Sequence, residues 1–166
     1  MSSLRLLSML LMLGLAYGCD DFSNPFVDYY EKAKQAKESG DLEAAIKWFT
    51  KAAEQGLAEA QHNLASMYDS GEGVAQDYKQ AVYWYTKAAE QGYASAQSDL
   101  GILYHYGNGV PEDIVKAHMW INISAGNGLA IGKANKEFIE RRMSPSQIEK
   151  AQEMARECVA KNYKGC

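Results

Sequence analysis

Three histidines are the side chains of this protein best suited to hold a metal ion or to transfer a proton. They are His62, His105 and His118. No two of them stand four residues apart, the spacing that places a pair of zinc ligands on one helix face. No pair of carboxylates accompanies them in a zinc-type arrangement. We therefore interpret the histidines as surface or partly packed residues and expect no metal site.

Two glycine-rich segments, Gly-Glu-Gly at 71–73 and Gly-Asn-Gly at 107–109, superficially resemble phosphate-binding loops. Both follow helical patterns instead of strands, and neither has a lysine where such a loop needs one, so we interpret the glycines as turn residues. Ser144 is placed to cap a helix, and Cys158 lies far in sequence from any histidine that could activate it. The sequence therefore predicts no catalytic residue, no cofactor and no enzymatic activity.

The first cysteine follows a segment that is typical of exported proteins. Arg5 precedes an apolar run at residues 6–15, and small residues stand at positions 16 and 18, before Cys19. This pattern predicts a signal peptide over residues 1–18. The apolar run is about half of the roughly 20 residues that a membrane-spanning helix needs, which disfavours a permanent transmembrane helix.

Residues 15–19, Leu-Ala-Tyr-Gly-Cys, resemble a bacterial lipobox. The resemblance implies cleavage before Cys19, acylation of Cys19 and a lipid-anchored protein on the periplasmic side of a bacterial membrane. Residues 19–27 would then be the anchor and tether. Asp20 and Asp21 resemble the signal that retains such proteins at the inner membrane. The alternative is ordinary secretion to the periplasm with an unmodified Cys19.

Two further cysteines, Cys158 and Cys166, lie near the C-terminus. A pair of cysteines left over in an exported chain favours a disulfide. Closing a loop of this length would contribute roughly 2.5 kcal/mol on the chain-entropy account. The bond would also hold the last residues against the final helix. Two free thiols on a frayed end are the alternative.

A spacing of 36 residues dominates the remaining sequence. It relates sets of alanines, tryptophans, aspartates and glycines: Ala45/Ala81/Ala117, Trp48/Trp84/Trp120, Asp41/Asp77/Asp113 and Gly56/Gly92/Gly128. A fixed period of this length marks an array of repeats, in which each unit buries its apolar face only by stacking on the next. Such an array usually presents a surface to a partner and seldom holds a catalytic site.

Each repeat has the pattern of two helices. In the second repeat Asp77 is a suitable N-cap, apolar residues recur at three- and four-residue steps, and Gly92 and Gly107 end the two helices. Counting in this way, we expect about eight helices, with a solenoid over residues 28–143. Its first helix should span 28–39 and its last 129–143.

The end of the chain carries a strong signal for a further helix. Ser144 is a suitable N-cap, proline follows at the first helical position, and Gln147 completes a capping box. We expect the longest helix of the chain from residue 145 to about 162. Residues 144–166 would then form a C-terminal capping helix and tail that shield the array from water.

The repeat resembles the Sel1-like repeat, a relative of the tetratricopeptide repeat, over about residues 40–132. The third unit matches mainly in its first helix. The resemblance implies an all-α fold, a right-handed superhelical solenoid of antiparallel helix pairs, and a role as a protein adaptor or scaffold. The matching residues of the second repeat are Asp77, Ala81, Trp84, Tyr85, Ala88, Ala89 and Gly92, then Ala96, Leu100, Gly101, Tyr104, Gly107, Gly109 and Val110.

Variable positions on the first helix of each repeat are the candidate partner-binding residues. In solenoids of this kind that helix lines the concave face. Exposed apolar residues that repeat packing does not require are candidate anchors for a partner. The alternative is that Met119 and Ile123 only pack against the C-terminal helices. One equivalent position holds Lys47, Tyr83 and Met119, and the other holds Lys51, Lys87 and Ile123.

Composition narrows the classes of partner. The formal net charge is −4 and no basic stripe is evident, so nucleic acid and anionic lipid headgroups are poor candidates. We expect a monomer that binds another protein as an adaptor or scaffold in the bacterial envelope, with lysines steering an acidic partner. An alternative is a periplasmic immunity protein that blocks a secreted toxin. An alternative of another class is a hydrolase acting on the cell wall.

Overall fold

The computed structural model describes residues 25–166, and all regular structure in that range is helical. The predicted signal peptide, Cys19 and most of the predicted tether lie outside the described residues. The expected number of helices is confirmed for this range, which contains eight. They are α1 (Pro25–Glu38), α2 (Leu42–Glu54), α3 (Ala58–Ser70), α4 (Tyr78–Ala89), α5 (Ala94–Tyr106), α6 (Ile114–Gly126), α7 (Ala130–Glu140) and α8 (Pro145–Ala160).

None of the helices in residues 25–166 combines the length and the apolar character that crossing a bilayer demands.

Side-chain caps fix where the helices begin. Asp41, Asp77 and Asp113 precede α2, α4 and α6, and each carboxylate accepts a hydrogen bond from a backbone N–H in the first turn. Such caps satisfy N–H groups that have no partner within the helix. Ser144 and Gln147 form the predicted capping box at the start of α8. The repeated aspartate therefore sets the start of the first helix in each of the three repeats.

Several helix ends differ from the sequence prediction by two or three residues. Helix α1 begins at Pro25 instead of residue 28, α7 ends at Glu140 instead of 143, and α8 ends at Ala160. Helix α4 ends at Ala89, and Gly92 lies two residues beyond its C-cap with φ +84°. Gly92 thus serves the turn after α4 in a left-handed conformation that other residues rarely adopt.

Successive repeats approach closely because small residues lie where the second helix of one meets the first helix of the next. A methyl group added at Gly101 in α5 would lie 2.6 Å from Ile121 Cγ1 and 2.9 Å from the Ala117 carbonyl oxygen in α6. The equivalent residue in α3 is Ala65, which is fully buried against the α4–α5 layer. These positions leave no room for a larger side chain.

Side-chain amides join the repeats in a ladder that repeats every 36 residues. Gln61 Nε2 donates to the Ala53 carbonyl oxygen at 3.0 Å, and its Oε1 accepts from Gln91 Nε2 at 2.8 Å. One repeat later, Gln97 Nε2 donates to the Ala89 carbonyl oxygen at 3.1 Å. Its Oε1 accepts from Asn127 Nδ2 at 2.8 Å. Because Gln61 and Gln97 are buried, these bonds satisfy polar groups that would otherwise be costly to bury.

The array stops at α7 because its outer face is charged. Leu64 in α3 and Leu100 in α5 face the helix that follows, and the equivalent residue of α7 is Lys136. One residue further along, Gly101 of α5 corresponds to Glu137 of α7. Charged side chains are rarely buried without a partner. Helix α8 therefore does not pair closely with α7 and packs instead against α6.

Candidate functional site

The variable positions of the first helices form one candidate surface, which we call the first-helix face. It consists of residues 47, 83 and 119 and residues 51, 87 and 123, on α2, α4 and α6 in turn. On α2 and α4 these side chains are exposed: Lys47, Lys51 and Lys87 reach solvent, and Tyr83 is 50% exposed. A half-exposed tyrosine that repeat packing does not require remains a candidate anchor.

The two residues that α6 contributes to this face are not accessible. Met119 is 1% exposed and Ile123 is 4% exposed, because α8 folds back over α6. Met119 borders the same small cleft as Cys158, and Ile123 borders the same larger cleft as Ala155. We therefore correct the sequence interpretation of these two residues: they belong to the interface between α6 and α8, the alternative that the sequence had left open.

A disulfide and an aromatic contact fix the chain after α8. The Cys158 and Cys166 Sγ atoms are bonded, at 2.10 Å. Between them, the Tyr163 ring covers Gly92, where an added methyl group would lie 3.1 Å from Tyr163 Cε2. The Tyr163 hydroxyl donates to Asn127 Oδ1 at 3.2 Å. The tail thus reaches from the third repeat back to the turn after α4.

A cluster of aromatic and basic residues lies at the end of the first-helix face formed by α2, next to α1. The rings of Tyr29 and Trp48 are stacked, with centroids 5.6 Å apart and planes 15° apart. Three lysine Nζ atoms lie over the Trp48 ring: Lys32 at 5.3 Å, Lys47 at 5.4 Å and Lys51 at 4.7 Å from its centroid. Each distance is within the range of a cation–π contact. The cluster concentrates positive charge on a flat aromatic surface.

A second aromatic group continues this surface onto α4. Tyr83 meets Trp84 edge to face, with centroids 4.9 Å apart and planes 79° apart. Lys87 Nζ lies 5.6 Å from the centroid of the Tyr83 ring. The pairing of a lysine with an aromatic ring is thus repeated from α2 to α4.

Few carboxylates neutralise these lysines. Within residues 28–166, whose side chains are described, Lys32 pairs with Asp28 at 2.7 Å, and no carboxylate lies within 4.0 Å of the amine of Lys47, Lys51 or Lys87. The chain as a whole is acidic, with a formal net charge of −4. The lysines therefore make a local positive region on an acidic protein.

The three histidines lie apart from this face. His118 is fully buried, and its Nε2 lies 2.8 Å from Glu140 Oε1. His105 is 7% exposed, with its Nε2 3.4 Å from an Arg142 nitrogen. Across the part of the chain that the structure covers, no group of three or more His, Cys, Asp or Glu side chains could hold a metal ion.

His62 belongs to a polar cluster between α3 and α5. Its Nε2 lies 2.9 Å from Asp99 Oδ2. Burial raises the pKa of the nearby Asp69 carboxyl, and the negative charge of Asp99 raises that pKa further. One repeat on, Asn135 donates to Ser98 at 3.2 Å with the same sequence separation of 37. This regular recurrence indicates a contact that joins repeats.

The comparison with known families gives a match over more than half of the chain. The Sel1 repeat matches at residues 34–57, 58–93 and 94–129. The chain belongs to the Sel1 repeat family. Sel1 repeat proteins are generally scaffolds for protein–protein interaction and are typically not catalytic. A comparison with curated proteins gives no match.

Two solved structures show the same Sel1 architecture. The chain is 30% identical to a protective antigen present in uropathogenic Escherichia coli strains that displays an SLR fold, with a TM-score of 0.70 over 83% of this chain. It is 39% identical to a Sel1 repeat protein from Oxalobacter formigenes, with a TM-score of 0.55 over 57% of this chain. The chain spans 34% and 39% of the lengths of those two proteins.

A cleft of about 820 Å³ between α6, α7 and α8 marks the place where a further Sel1 repeat would begin. Lys133, Lys136, Glu137 and Glu140 line it from α7. In α5 the equivalent residues are Gln97, Leu100, Gly101 and Tyr104, which pack under the first helix of the third repeat. The cleft is thus a charged end surface of the array.

The residues of the cluster around Trp48 were only partly predictable from the sequence. The repeat alignment marks Lys47 and Lys51 as variable positions. Trp48 recurs every 36 residues, which is typical of a residue that packs within the repeat. Tyr29 and Lys32 lie in α1, outside the regular period, so comparison of the repeats could not align them. The two tyrosines near the start of α1 were the available signal.

Proposed function

We propose that this Sel1 repeat protein binds another protein through the first-helix face of its first two repeats. The observation that carries the proposal is the surface around Trp48 and Tyr83, where aromatic rings lie beside Lys47, Lys51 and Lys87. These three lysines have no carboxylate partner among the described side chains. Aromatic residues are enriched among those that dominate protein interfaces. Lysines at the rim speed the encounter with an acidic partner and select for it.

The third repeat sets the limit of the accessible binding surface. Met119 and Ile123 are covered by α8, so the open part of the first-helix face extends over α2 and α4 only. Most residues of this surface lie on α2 and α4, which are held in place by packing against the neighbouring helices. A largely preformed surface loses little conformational freedom on binding, which favours affinity.

Reversing the charge of two central lysines tests this assignment. In Lys47→Glu/Lys51→Glu, we expect at least a tenfold loss of partner capture from solubilised bacterial envelope. Like charges brought together in an interface cost several kcal/mol, and about 1.4 kcal/mol corresponds to a factor of ten. The measurement is a quantitative pull-down with the full chain as bait.

The matched control is Lys133→Glu/Arg141→Glu, which changes the net charge equally at exposed positions on α7 and at its C-cap, away from this face. It should capture the partner as the parent does. Equal loss in both variants would mean that only net charge matters, and no loss in either would remove the first-helix face from the proposal.

We further propose that the protein is exported and held by a lipid on Cys19 at the periplasmic side of a bacterial membrane. The support is the resemblance of residues 15–19 to a lipobox, after a segment typical of signal peptides. Each buried methylene contributes about 0.8 kcal/mol, so two or three acyl chains would anchor the protein durably. The tether would place the first repeats, and with them Trp48, near the membrane.

Metabolic labelling with palmitate tests the anchor. The parent should take up label and sediment with membranes, whereas Cys19→Ser should do neither, because the serine hydroxyl does not replace the thiol that is acylated. If the two proteins label and sediment alike, the anchor proposal is wrong, while protein binding by the repeats is unaffected.

A further inference from the structure

Helix α8 already covers one third of the first-helix face, and it shows what kind of structure fits there. Its buried residues, Ala151, Ala155 and Cys158, follow one another at steps of four and three. This spacing places small side chains in a line along one side of the helix. That side covers Met119 and Ile123 of α6.

Within the described part of the chain, no helix covers the equivalent positions of the first two repeats. Where α6 has Met119 and Ile123, α4 has Tyr83 and Lys87, and α2 has Lys47 and Lys51. The backbone of these first helices repeats every 36 residues, with the same aspartate cap at each start. The surface is therefore of similar shape on each repeat but changes from apolar to aromatic and basic.

We infer that the partner segment bound by α2 and α4 is an acidic α-helix that lies alongside α8. Small residues on one side of that helix would face Trp48 and Tyr83, and carboxylates on its flanks would reach Lys47, Lys51 and Lys87. The inference rests on the proposed function and specifies its partner. Docking of an amphipathic helix in a groove is an established mode of peptide recognition.

The aromatic rings favour a helix with small residues over one with large apolar residues. Tyr83 projects from the surface, since it is 50% exposed, and Trp48 is partly exposed, so a partner backbone can approach these rings closely only where its own side chains are short. Helix α8 meets the large side chains of Met119 and Ile123 with Ala155 and Cys158, which are buried, and with Met154, which is partly buried. Where the contact is most buried, large residues of α6 thus meet small residues of α8.

The arrangement of charge favours carboxylates. Three ammonium groups lie within 5.4 Å of the centroid of one indole ring, and only Lys32 has a carboxylate partner among the described side chains. Their mutual repulsion is relieved when anionic groups approach. The flanks of an acidic helix bring carboxylates at spacings of three and four residues. Lys47 and Lys51 have the same spacing along α2.

A panel of four synthetic peptides tests this inference on the full chain in detergent. Each is an 18-residue, alanine-rich helix with an identical small-residue stripe; the flanks carry glutamate, glutamine or lysine, and the fourth is the glutamate peptide with a central proline. Binding is measured by fluorescence anisotropy at low and high salt. We expect the glutamate peptide to bind at least tenfold more tightly than the other three, and 0.5 M NaCl to weaken it, because salt screens exposed charges.

Two variants and one further probe sharpen the result. Lys47→Glu/Lys51→Glu should lower affinity for the glutamate peptide at least tenfold, and Lys133→Glu/Arg141→Glu should leave it unchanged. The inference is overturned if the glutamine peptide or the proline-broken peptide binds equally well, or if no peptide binds. It is also overturned if vesicles of phosphatidylglycerol bind through Lys47 and Lys51 while the peptides do not.

The panel can fail while the proposed function stands. If partner capture from the envelope still depends on Lys47 and Lys51 but the glutamate peptide has no advantage, the face binds a protein that is not an acidic helix. If capture does not depend on these lysines either, both proposals fail.

Discussion

Replacing Trp120 with alanine is expected to lower the free energy of unfolding by about 3–5 kcal/mol. Trp120 is 2% exposed and belongs to the buried cluster that contains Ala155 and Cys158 of α8. Removing its indole would leave a cavity between layers that are held by their own caps and hydrogen bonds, so the surroundings could collapse only partly. The substitution would therefore weaken the contact between α6 and α8.

Trp48→Ala is the matched control for this change. Trp48 occupies the equivalent position in the first repeat, but its ring is only partly buried and stacks on Tyr29. We expect a clearly smaller loss of stability, measured by urea unfolding of both variants. Equal losses would contradict the description in which α8 buries the third repeat and leaves the first one open.

Gly101→Ala is expected to destabilise the fold by about 1–3 kcal/mol, although alanine is the better helix former. The new methyl group would lie 2.9 Å from the carbonyl oxygen of Ala117 as well as against Ile121. A backbone oxygen cannot turn away as a flexible side chain can. Helices α5 and α6 would have to separate, which loosens the contact between the second and third repeats.

Gly126→Ala provides the control within α6. It lies at the end of that helix, and an added methyl group there meets no atom within 4 Å. Alanine should be neutral or stabilise by up to about 1 kcal/mol, because it restricts the unfolded chain. Thermal unfolding of the two variants distinguishes the effects, and a stabilised Gly101→Ala protein would show that the repeats are not packed so closely.

The repeat architecture was predictable because its determinants recur. Aspartate caps, buried alanines and turn glycines each have a local physical role, and a period of 36 residues places them in register. Asp77 indicated the start of α4, and Ser144 with Gln147 indicated the start of α8. Helix ends were less certain because the last turn of a helix depends on the chain that follows it.

The position of α8 was not predictable from its own sequence. The spacing of Ala151, Ala155 and Cys158 indicates a helix with one buried side but not the surface that it covers. The decisive signal lies elsewhere, in Lys136 and Glu137, which replace an apolar and a small residue on the outer face of α7. Burying these charges under a regular fourth layer would be costly, and α8 covers Met119 and Ile123 instead.

The candidate site was predictable from the sequence only in part, because one of its central residues depends on how α1 packs. Lys47, Lys51, Lys87 and Tyr83 vary between repeats and are exposed, as expected for positions outside the framework. Trp48 has two roles, since its recurrence marks a packing residue while its exposed part carries the lysine contacts. Only the three-dimensional arrangement brings α1 to that ring.

The most direct test of the binding assignment is photo-crosslinking from single positions in living cells. A p-benzoylphenylalanine at position 83 would replace a tyrosine that is 50% exposed on the first-helix face, and one at position 106 would replace a tyrosine that is 60% exposed on α5. We predict a discrete crosslinked protein from position 83, lost in Lys47→Glu/Lys51→Glu, and none from position 106. Crosslinking from position 106 alone, or equally from both, would contradict the assignment.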